Sequence, residues 1–195
     1  DAPGGFALGL HVPGRHRKVI DLSRCEIQFE EANAIMATAR RLAVARGLSA
    51  WDPIEHTGLL RHLVLRKGFH TGEIMVNLVT SEQAAGCIDP LARELLAEHP
   101  EITTLVHNVT TRRAMVAIGE SERVLHGPGV IRETLRGLRF SISASSFFQT
   151  NTAQAERLLD VVLEQARLEG REIVHDLYCG VGTLSLHLAR AAREV

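Results

Sequence analysis

The chain has 195 residues, of which 45% are hydrophobic and 23% are charged, with 22 basic and 23 acidic side chains. This composition is typical of a globular protein and too apolar for a disordered one, and no apolar run approaches the roughly 18 residues that a membrane-spanning helix requires. The formal net charge of −1 excludes the overall basic field of many nucleic-acid-binding proteins, although it allows a local basic patch.

The cysteine and histidine patterns predict neither a disulfide framework nor a zinc site. Cys25, Cys87 and Cys179 are an odd number and show no CxxC or CxxH spacing. The ten histidines show no H-x-x-x-H or similar ligand spacing. We therefore expect a protein of the reducing cytoplasm, with no metal site built from this chain alone.

Residues 1–140 have the pattern of a strand-rich α+β domain. Two apolar runs around Pro13-Gly14 predict a hairpin, and apolar residues at helical spacing predict a helix over 27–46. A second helix is predicted to begin at Asp89-Pro90. The other predicted strands are residues 60–65, 73–80, 102–109, 114–118, 131–135 and 138–142. We expect these strands to pair in an antiparallel manner.

The turn of the first hairpin is expected to carry a basic run, R-H-R-K at residues 15–18. Four basic or titratable side chains at a loop tip could contact phosphates, and arginine suits bidentate phosphate contacts. A solvated turn is the other interpretation of the same run.

A different pattern begins after residue 140. Asn151 is predicted to cap a helix, with Gln154 three residues later in a capping-box-like relation. Apolar residues from Ala155 to Ala166 then line one face of this helix, and Gly170 is predicted to close it.

A predicted buried strand over 172–177, a glycine-bearing turn over 178–183 and a helix over 184–193 complete the chain. Helix, strand, turn and helix in this order are typical of the opening of a doubly wound α/β sheet. Residues 141–195 are therefore predicted to begin such a domain. A single parallel strand cannot complete that sheet, so we expect the chain to be a fragment of a larger protein.

The glycine-bearing turn is the sharpest candidate for a ligand site. Residues 176–183 have the sequence D-L-Y-C-G-V-G-T, between a predicted strand and a helix, where backbone can approach a nucleotide-like ligand. Gly180 and Gly182 would allow that approach, and Asp176 falls at the carboxyl end of the strand. By itself the turn is compatible with a nicotinamide cofactor, with S-adenosylmethionine or with a structural role. Ser185 stands where a dinucleotide motif has its third glycine, which disfavours a dinucleotide.

A second candidate segment precedes the long helix. Phe147 and Phe148 are adjacent aromatic residues, and we expect both to be core anchors at a domain junction. Gln149 differs from them, because an amide at such a junction can both donate to and accept from a ligand.

Together the two segments resemble the RNA (uracil-5-)-methyltransferases, which form 5-methyluridine in transfer and ribosomal RNA. The resemblance rests on the run S-F-F-Q-x-N-x-x-Q-A-E at 146–156 and on D-L-Y-C-G-x-G-T at 176–183. Weaker support comes from residues 63–66 with 71–73, from residues 106–108, and from Gly5-Phe6 leading to Cys25. The resemblance covers essentially the whole chain but only the middle of a family member.

The resemblance implies S-adenosylmethionine as cofactor and RNA as partner. Residues 1–140 would be the family's central, RNA-facing domain, and residues 141–195 would be the start of its class I, Rossmann-like methyltransferase domain. Gln149, Tyr178 and Thr183 match positions that contact the cofactor.

Other family residues are only partly represented in this chain. Cys25 matches the last of four cysteines that hold a [4Fe–4S] cluster in some members, and the other three would precede Asp1. The family's nucleophilic cysteine and its basic glutamate would lie beyond Val195. We therefore expect no catalytic residue among residues 1–195 and no activity from this fragment alone. Cys179 is expected to pack beneath the cofactor turn rather than to act as a nucleophile.

Two alternatives remain at this stage. The first is a non-catalytic RNA-binding or scaffolding module, which the missing nucleophile favours for the fragment itself. The second is a nucleotide-dependent oxidoreductase, which leaves the S-F-F-Q segment unexplained.

Overall fold

The computed structural model of the protein describes residues 6–82 and 85–195, without the side chains of His16, Arg17 and Ala85. Gly5, one of the residues that support the family resemblance, lies outside the described residues. Contacts divide the chain into two units: Asp1–Lys67 with Glu73–Ile131, and Gly68–Gly72 with Arg132–Val195. No helix in the described parts of the chain is long and apolar enough to cross a membrane.

The first unit begins with the predicted hairpin. Strand β1 (Gly9–Val12) pairs in antiparallel fashion with β2 (Arg15–Asp21), and the two-residue turn between them has Gly14 at a φ of 70°. Helix α1 (Glu30–Ala45) follows, and its core-facing stripe includes Ile35 and Leu42. Ile27 was expected on this stripe, but the helix begins three residues later, so Ile27 is exposed.

A four-stranded sheet forms the centre of the first unit, with the strands in chain order. They are β3 (Leu60–Lys67), β4 (Ile74–Thr80), β5 (Ile102–Val109) and β6 (Ser121–His126). β4 and β5 are parallel, with α2 (Ile88–Glu98) as the crossover that a parallel pair requires. The expectation of purely antiparallel pairing is therefore wrong for this pair. β3 and β4 are antiparallel, as predicted. β5 and β6 are also antiparallel.

The core of the first unit lies between this sheet and the two helices. Its buried members come from α1, from the fully buried β4, from α2 and from β5, and they include Ile35, Leu42, Val76, Leu91 and Leu105. A helical stripe packed on a buried strand is the arrangement that the apolar spacing predicts.

The strand predicted over 114–118 is absent from the structure, and β6 lies later in the chain. Arg61 explains the difference, because its guanidinium donates to the carbonyl oxygens of Arg112 at 2.5 Å and Ala114 at 2.7 Å. These two backbone carbonyls therefore accept from the Arg61 side chain rather than from the N–H groups of a neighbouring strand. β6 is an edge strand with mostly exposed side chains, so it lacks a strong apolar pattern.

The second unit contains a hairpin and two helices. Strands β7 (Val130–Leu135) and β8 (Leu138–Ser143) pair, and helices α3 (Thr152–Ala166) and α4 (Thr183–Leu188) follow. Leu135, Phe140, Ala155 and Leu159 form the buried cluster of this unit, which we call the β7–α3 cluster. The predicted domain boundary at 140/141 falls inside β8, whereas the two units divide inside β7, between Ile131 and Arg132. The hairpin groups with the second unit because Leu135 and Phe140 pack on Ala155 and Leu159 of α3.

The last part of the chain differs from its prediction. Residues 172–177 are not a buried strand: a single parallel bridge joins Ile173 to Glu194, and Ile173 and Leu177 are exposed. No other described segment pairs with residues 172–177, and a buried parallel strand needs neighbours on both edges. α4 ends at Leu188 rather than near 193, because the backbone turns back and Arg193 N–H donates to Glu172 O at 3.0 Å.

Candidate functional site

The segment before α3 holds Gln149 at the surface. Asn151 caps the helix as predicted, since its side-chain oxygen accepts the backbone N–H of Gln154 at 3.0 Å. Phe148 anchors the segment, with its ring 5.6 Å from that of Phe140. Phe147 was expected to be a second anchor, but it is 76% exposed, because of the two rings only that of Phe148 packs on the β7–α3 cluster.

The glycine-bearing turn has the conformation that its sequence predicts. Gly182 lies at a φ of 79° immediately before α4, in the left-handed region that favours glycine. Its N–H donates to Cys179 O at 2.8 Å, which closes the turn. The Asp176 carboxylate holds the two ends, because Oδ1 accepts the Tyr178 N–H at 3.2 Å and Oδ2 accepts the Ser185 hydroxyl at 2.7 Å.

The outer side of the turn is open to a ligand. The Tyr178 side chain is 96% exposed, and Thr183 is half-buried at the start of α4. Apart from Gly180 itself and its two chain neighbours, no atom of the described residues lies within 4 Å of the position that a Cβ on Gly180 would take. An exposed ring, a hydroxyl and approachable backbone fit an adenosine-bearing ligand, so Tyr178, Thr183, Gly180 and Gly182 form a candidate contact surface, with Asp176 holding its shape.

His187 anchors the turn to the second unit from beneath. Its ring is buried, and its Nδ1 lies 2.6 Å from the carbonyl oxygen of Thr183. Its Nε2 lies 3.1 Å from the carbonyl oxygen of Leu135, and the ring stacks on Phe140 at 6.2 Å between centroids. The histidine therefore links α4 to the β7–β8 hairpin.

The two candidate segments meet at one apolar cluster. Phe148, adjacent to Gln149, and Val181, inside the turn, both pack on the β7–α3 cluster. The structure thus anchors the S-F-F-Q segment and the glycine-bearing turn on the same four buried side chains, although they are separated in the chain.

Sequence reasoning missed Ser185 and His187 as supports of this site. In the sequence, Ser185 only departs from a dinucleotide motif at the third-glycine position, whereas in the structure its hydroxyl donates to Asp176. His187 lies four residues after Thr183 on α4, and its helical spacing with that residue is the only signal in the sequence.

The cysteines offer no cluster site within the described chain. Cys25 is half-buried, and its backbone N–H donates to Asn33 Oδ1 at 2.8 Å. Among residues 6–82 and 85–195, no three His, Cys, Asp or Glu side chains are grouped as metal ligands, so these residues do not fit a [4Fe–4S] cluster. Cys179 was expected to pack beneath the turn, but it is exposed, because Val181 and His187 occupy the underside.

The basic run at 15–18 lies in strand β2 and not on a loop tip, because the hairpin turn is completed by Pro13 and Gly14. Arg15 and Lys18 are exposed. Neither residue forms an ion pair with any described residue. The side chains of His16 and Arg17 lie outside the described set.

Curated relatives match nearly the whole chain. It is 44% identical over 193 residues to an uncharacterized RNA methyltransferase of Chlorobaculum tepidum, covering 98% of this chain and 40% of the relative. It is 39% identical over 192 residues to an uncharacterized RNA methyltransferase of Halalkalibacterium halodurans, covering 98% of this chain and 42% of the relative. The chain thus spans about two fifths of these relatives. No protein-family model matches it.

A solved structure also matches. It is the crystal structure of Pyrococcus abyssi tRNA (uracil-54, C5)-methyltransferase in complex with S-adenosyl-L-homocysteine. The match has a TM-score of 0.71 at 30% identity, and covers 90% of this chain and 42% of that one. Over most of its length, the chain is similar in sequence and in structure to part of an RNA methyltransferase.

Proposed function

We propose that this chain is part of an S-adenosylmethionine-dependent RNA methyltransferase that methylates C5 of a uridine in tRNA or rRNA. The observation that carries the proposal is the packing of the S-F-F-Q segment and the glycine-bearing turn on one cluster, since these are the segments that resemble the uracil-5 family. The likeness to a tRNA (uracil-54, C5)-methyltransferase solved with S-adenosyl-L-homocysteine supports it.

In this proposal the second unit contributes to cofactor binding. The Gln149 amide would contact polar groups of the cofactor, the Tyr178 ring would offer its face to the sulfonium or adenosine region, and Gly180, Gly182 and Thr183 would approach it from the turn. S-adenosylmethionine supplies an electrophilic methyl group when bound. Asp176 keeps the turn in shape through its two hydrogen bonds.

The remaining chemistry is assigned to the parent protein. We propose that the nucleophilic cysteine and the basic glutamate lie outside residues 1–195, and that residues 1–140 face the RNA in the reducing cytoplasm. Because C5 and C6 of a stacked uracil are hard to reach, the target base is expected to be flipped out of its stack.

Methyl transfer to unmodified tRNA and rRNA transcripts tests the proposal. The full-length protein should transfer a radiolabelled methyl group from S-adenosylmethionine, and nucleoside analysis should identify 5-methyluridine. The 195-residue chain should remain at background. Methylation of another base or of ribose would refute the uridine assignment, and RNA binding without transfer by the full-length protein would favour the non-catalytic alternative.

A further inference from the structure

In the second unit, a buried carboxylate holds the loop of residues 68–72. In the chain, this loop connects β3 to β4, which belong to the first unit. Glu133, on β7, is only 1% exposed. Its oxygens accept the backbone N–H groups of Phe69 at 2.5 Å and His70 at 3.1 Å, the N–H of Thr134 at 2.8 Å and the hydroxyl of Thr152 at 2.9 Å. Four donors compensate the cost of burying this charge, and two of them belong to the loop.

Further contacts fix the conformation of the loop, residues 68–72. Thr71 Oγ1 donates to the Arg132 carbonyl at 2.6 Å, and Gly72 N–H donates to Gly68 O at 2.8 Å. A Cβ on Gly68 would clash with Thr71 Oγ1 and with the Arg132 carbonyl oxygen, so only glycine allows this close approach. The loop is therefore ordered by its hydrogen bonds to Glu133 and Arg132 and by its internal Gly72–Gly68 bond, rather than by burial of its side chains.

The hydrogen bonds of the loop hold the Phe69 ring exposed to solvent. Phe69 is 65% exposed, and the His70 ring meets it edge to face with the centroids 5.0 Å apart. His70 Nε2 in turn lies 3.3 Å from Glu156 Oε1 on α3. The Arg136 N–H, 3.2 Å from the same oxygen, lowers the pKa of the Glu156 carboxyl, and His70 adds to that effect, which keeps the carboxylate charged beside the histidine.

We propose that Phe69 is a stacking contact for an unpaired base of the substrate RNA and that Glu133 is its positioning residue. This inference rests on the proposed function, and it assigns an RNA contact to the unit that carries the candidate cofactor segments. Stacking on an aromatic ring is the sequence-tolerant way in which proteins bind single-stranded RNA.

The surroundings of Phe69 favour a base over a protein partner. His70, Thr71 and Gly72 beside it are exposed and polar or small, so the ring is not part of a continuous apolar patch within the loop. The buried core of a protein interface is typically more apolar than the rest of the surface, whereas a stacked base needs one flat face and polar groups around it.

Binding of a fluorescein-labelled, uridine-rich single-stranded RNA to the full-length protein tests the proposal. Phe69→Ala should weaken binding by about 5- to 150-fold, and Phe69→Tyr should retain it. In Phe69→Trp, the added tryptophan emission should be quenched by the RNA, which a merely structural role would not produce. Glu133→Gln should weaken RNA binding. In the double variant Glu133→Gln/Phe69→Trp, the RNA should no longer quench the added tryptophan emission.

The matched control is Val161→Ala, which removes an exposed apolar side chain from α3, outside residues 1–140 and outside the candidate cofactor surface, and should leave binding unchanged. Unchanged affinity in Phe69→Ala, absent quenching in Phe69→Trp, or a wild-type protein that does not bind the RNA would each overturn the proposal. A changed oligomeric state with unchanged RNA affinity would instead assign Phe69 to a protein interface. Binding of S-adenosylhomocysteine, measured in parallel, separates failure of this site from failure of the proposed function.

Discussion

His187 Nε2 lies 3.1 Å from the carbonyl oxygen of Leu135, and this contact joins α4 to the β7–β8 hairpin. The carbonyl of Thr183 faces the other ring nitrogen, so one imidazole spans the start of α4 and the end of β7. The glycine-bearing turn precedes α4 directly. Its position over the β7–α3 cluster therefore depends on this histidine as well as on Val181.

His187→Ala is expected to destabilise the protein by about 1–3 kcal/mol, the range for leaving a buried polar group without its partner. Urea-induced unfolding followed by far-ultraviolet circular dichroism measures the change. His175→Ala is the matched control, because His175 is exposed in the same unit and should leave the midpoint unchanged. Equal midpoints for both variants would show that the bridge adds no stability.

Local patterns in the sequence predicted most helices and strands correctly. The Asn151 cap, the first hairpin and the β3–β4 hairpin depend on neighbouring residues, and all three are confirmed. The parallel pairing of β4 with β5 depends on contacts between distant residues, which no local pattern contains.

The errors have specific physical causes. The segment 114–118 is apolar enough for a strand, but Arg61 from a distant part of the chain bonds to the backbone there. Residues 172–177 contain the apolar Ile173, Val174 and Leu177 and are predicted to form a buried strand, but one bridge to Glu194 is the only described pairing.

The candidate site was predicted in part. Its glycines and the segment around Gln149 follow from motifs and resemblance, and their cofactor roles remain predictions. Glu133 and His187 could not be predicted, because their partners become neighbours only in the folded second unit.

Acidification below about pH 6.5 should lower the stability of the protein. Burial lowers the pKa of His107, and Arg123 adds to the effect against an opposing contribution from Asp89. Burial also lowers the pKa of His62, with Arg61 and His11 adding to it. In the unfolded chain these histidines have their ordinary pKa, so below it the unfolded state binds protons that the folded state does not.

Urea unfolding at pH 7.5, 6.5 and 5.5 measures this dependence. The free energy of unfolding should fall as the pH falls through this range, until the pH passes the lowered pKa values of the folded state. His107→Gln should show a smaller fall, because one of the two histidines whose pKa is lowered is gone. The same fall in the variant and in the wild type would contradict a role for His107.

Replacement of Arg15, Arg17 and Lys18 by alanine tests whether the basic run contacts RNA. If it does, the variant should bind RNA more weakly, and the slope of log affinity against log salt should flatten by up to about 3 units. The matched control replaces Arg41, Arg46 and Arg123, which already face Glu98, Glu94 and Asp89. If both triple variants keep the wild-type slope, the run is a solvated strand surface.

Substitutions at Gln149 and Gly182 test the cofactor site directly. Gly182 has a φ of 79°, so Gly182→Val should distort the turn and abolish cofactor binding, although a Cβ there would meet only Leu186 at 3.5 Å. Gln149→Ala should cost about 1–3 kcal/mol of binding free energy, because a polar group of the ligand loses its partner. Thr150→Ala, the neighbouring exposed position, is the matched control and should bind normally.

Calorimetric titration of the full-length protein with S-adenosylhomocysteine measures these affinities, and circular dichroism of each variant shows whether the fold persists. Gly182 belongs to the second unit and Trp51, the only tryptophan among residues 1–195, to the first. The Trp51 fluorescence, taken as the difference from a Trp51→Phe variant, therefore reports separately on the first unit. We expect Gly182→Val to keep the wild-type fluorescence while binding is lost. Wild-type affinity in both Gly182→Val and Gln149→Ala would mean that the turn is structural and that the cofactor, if one binds, lies elsewhere.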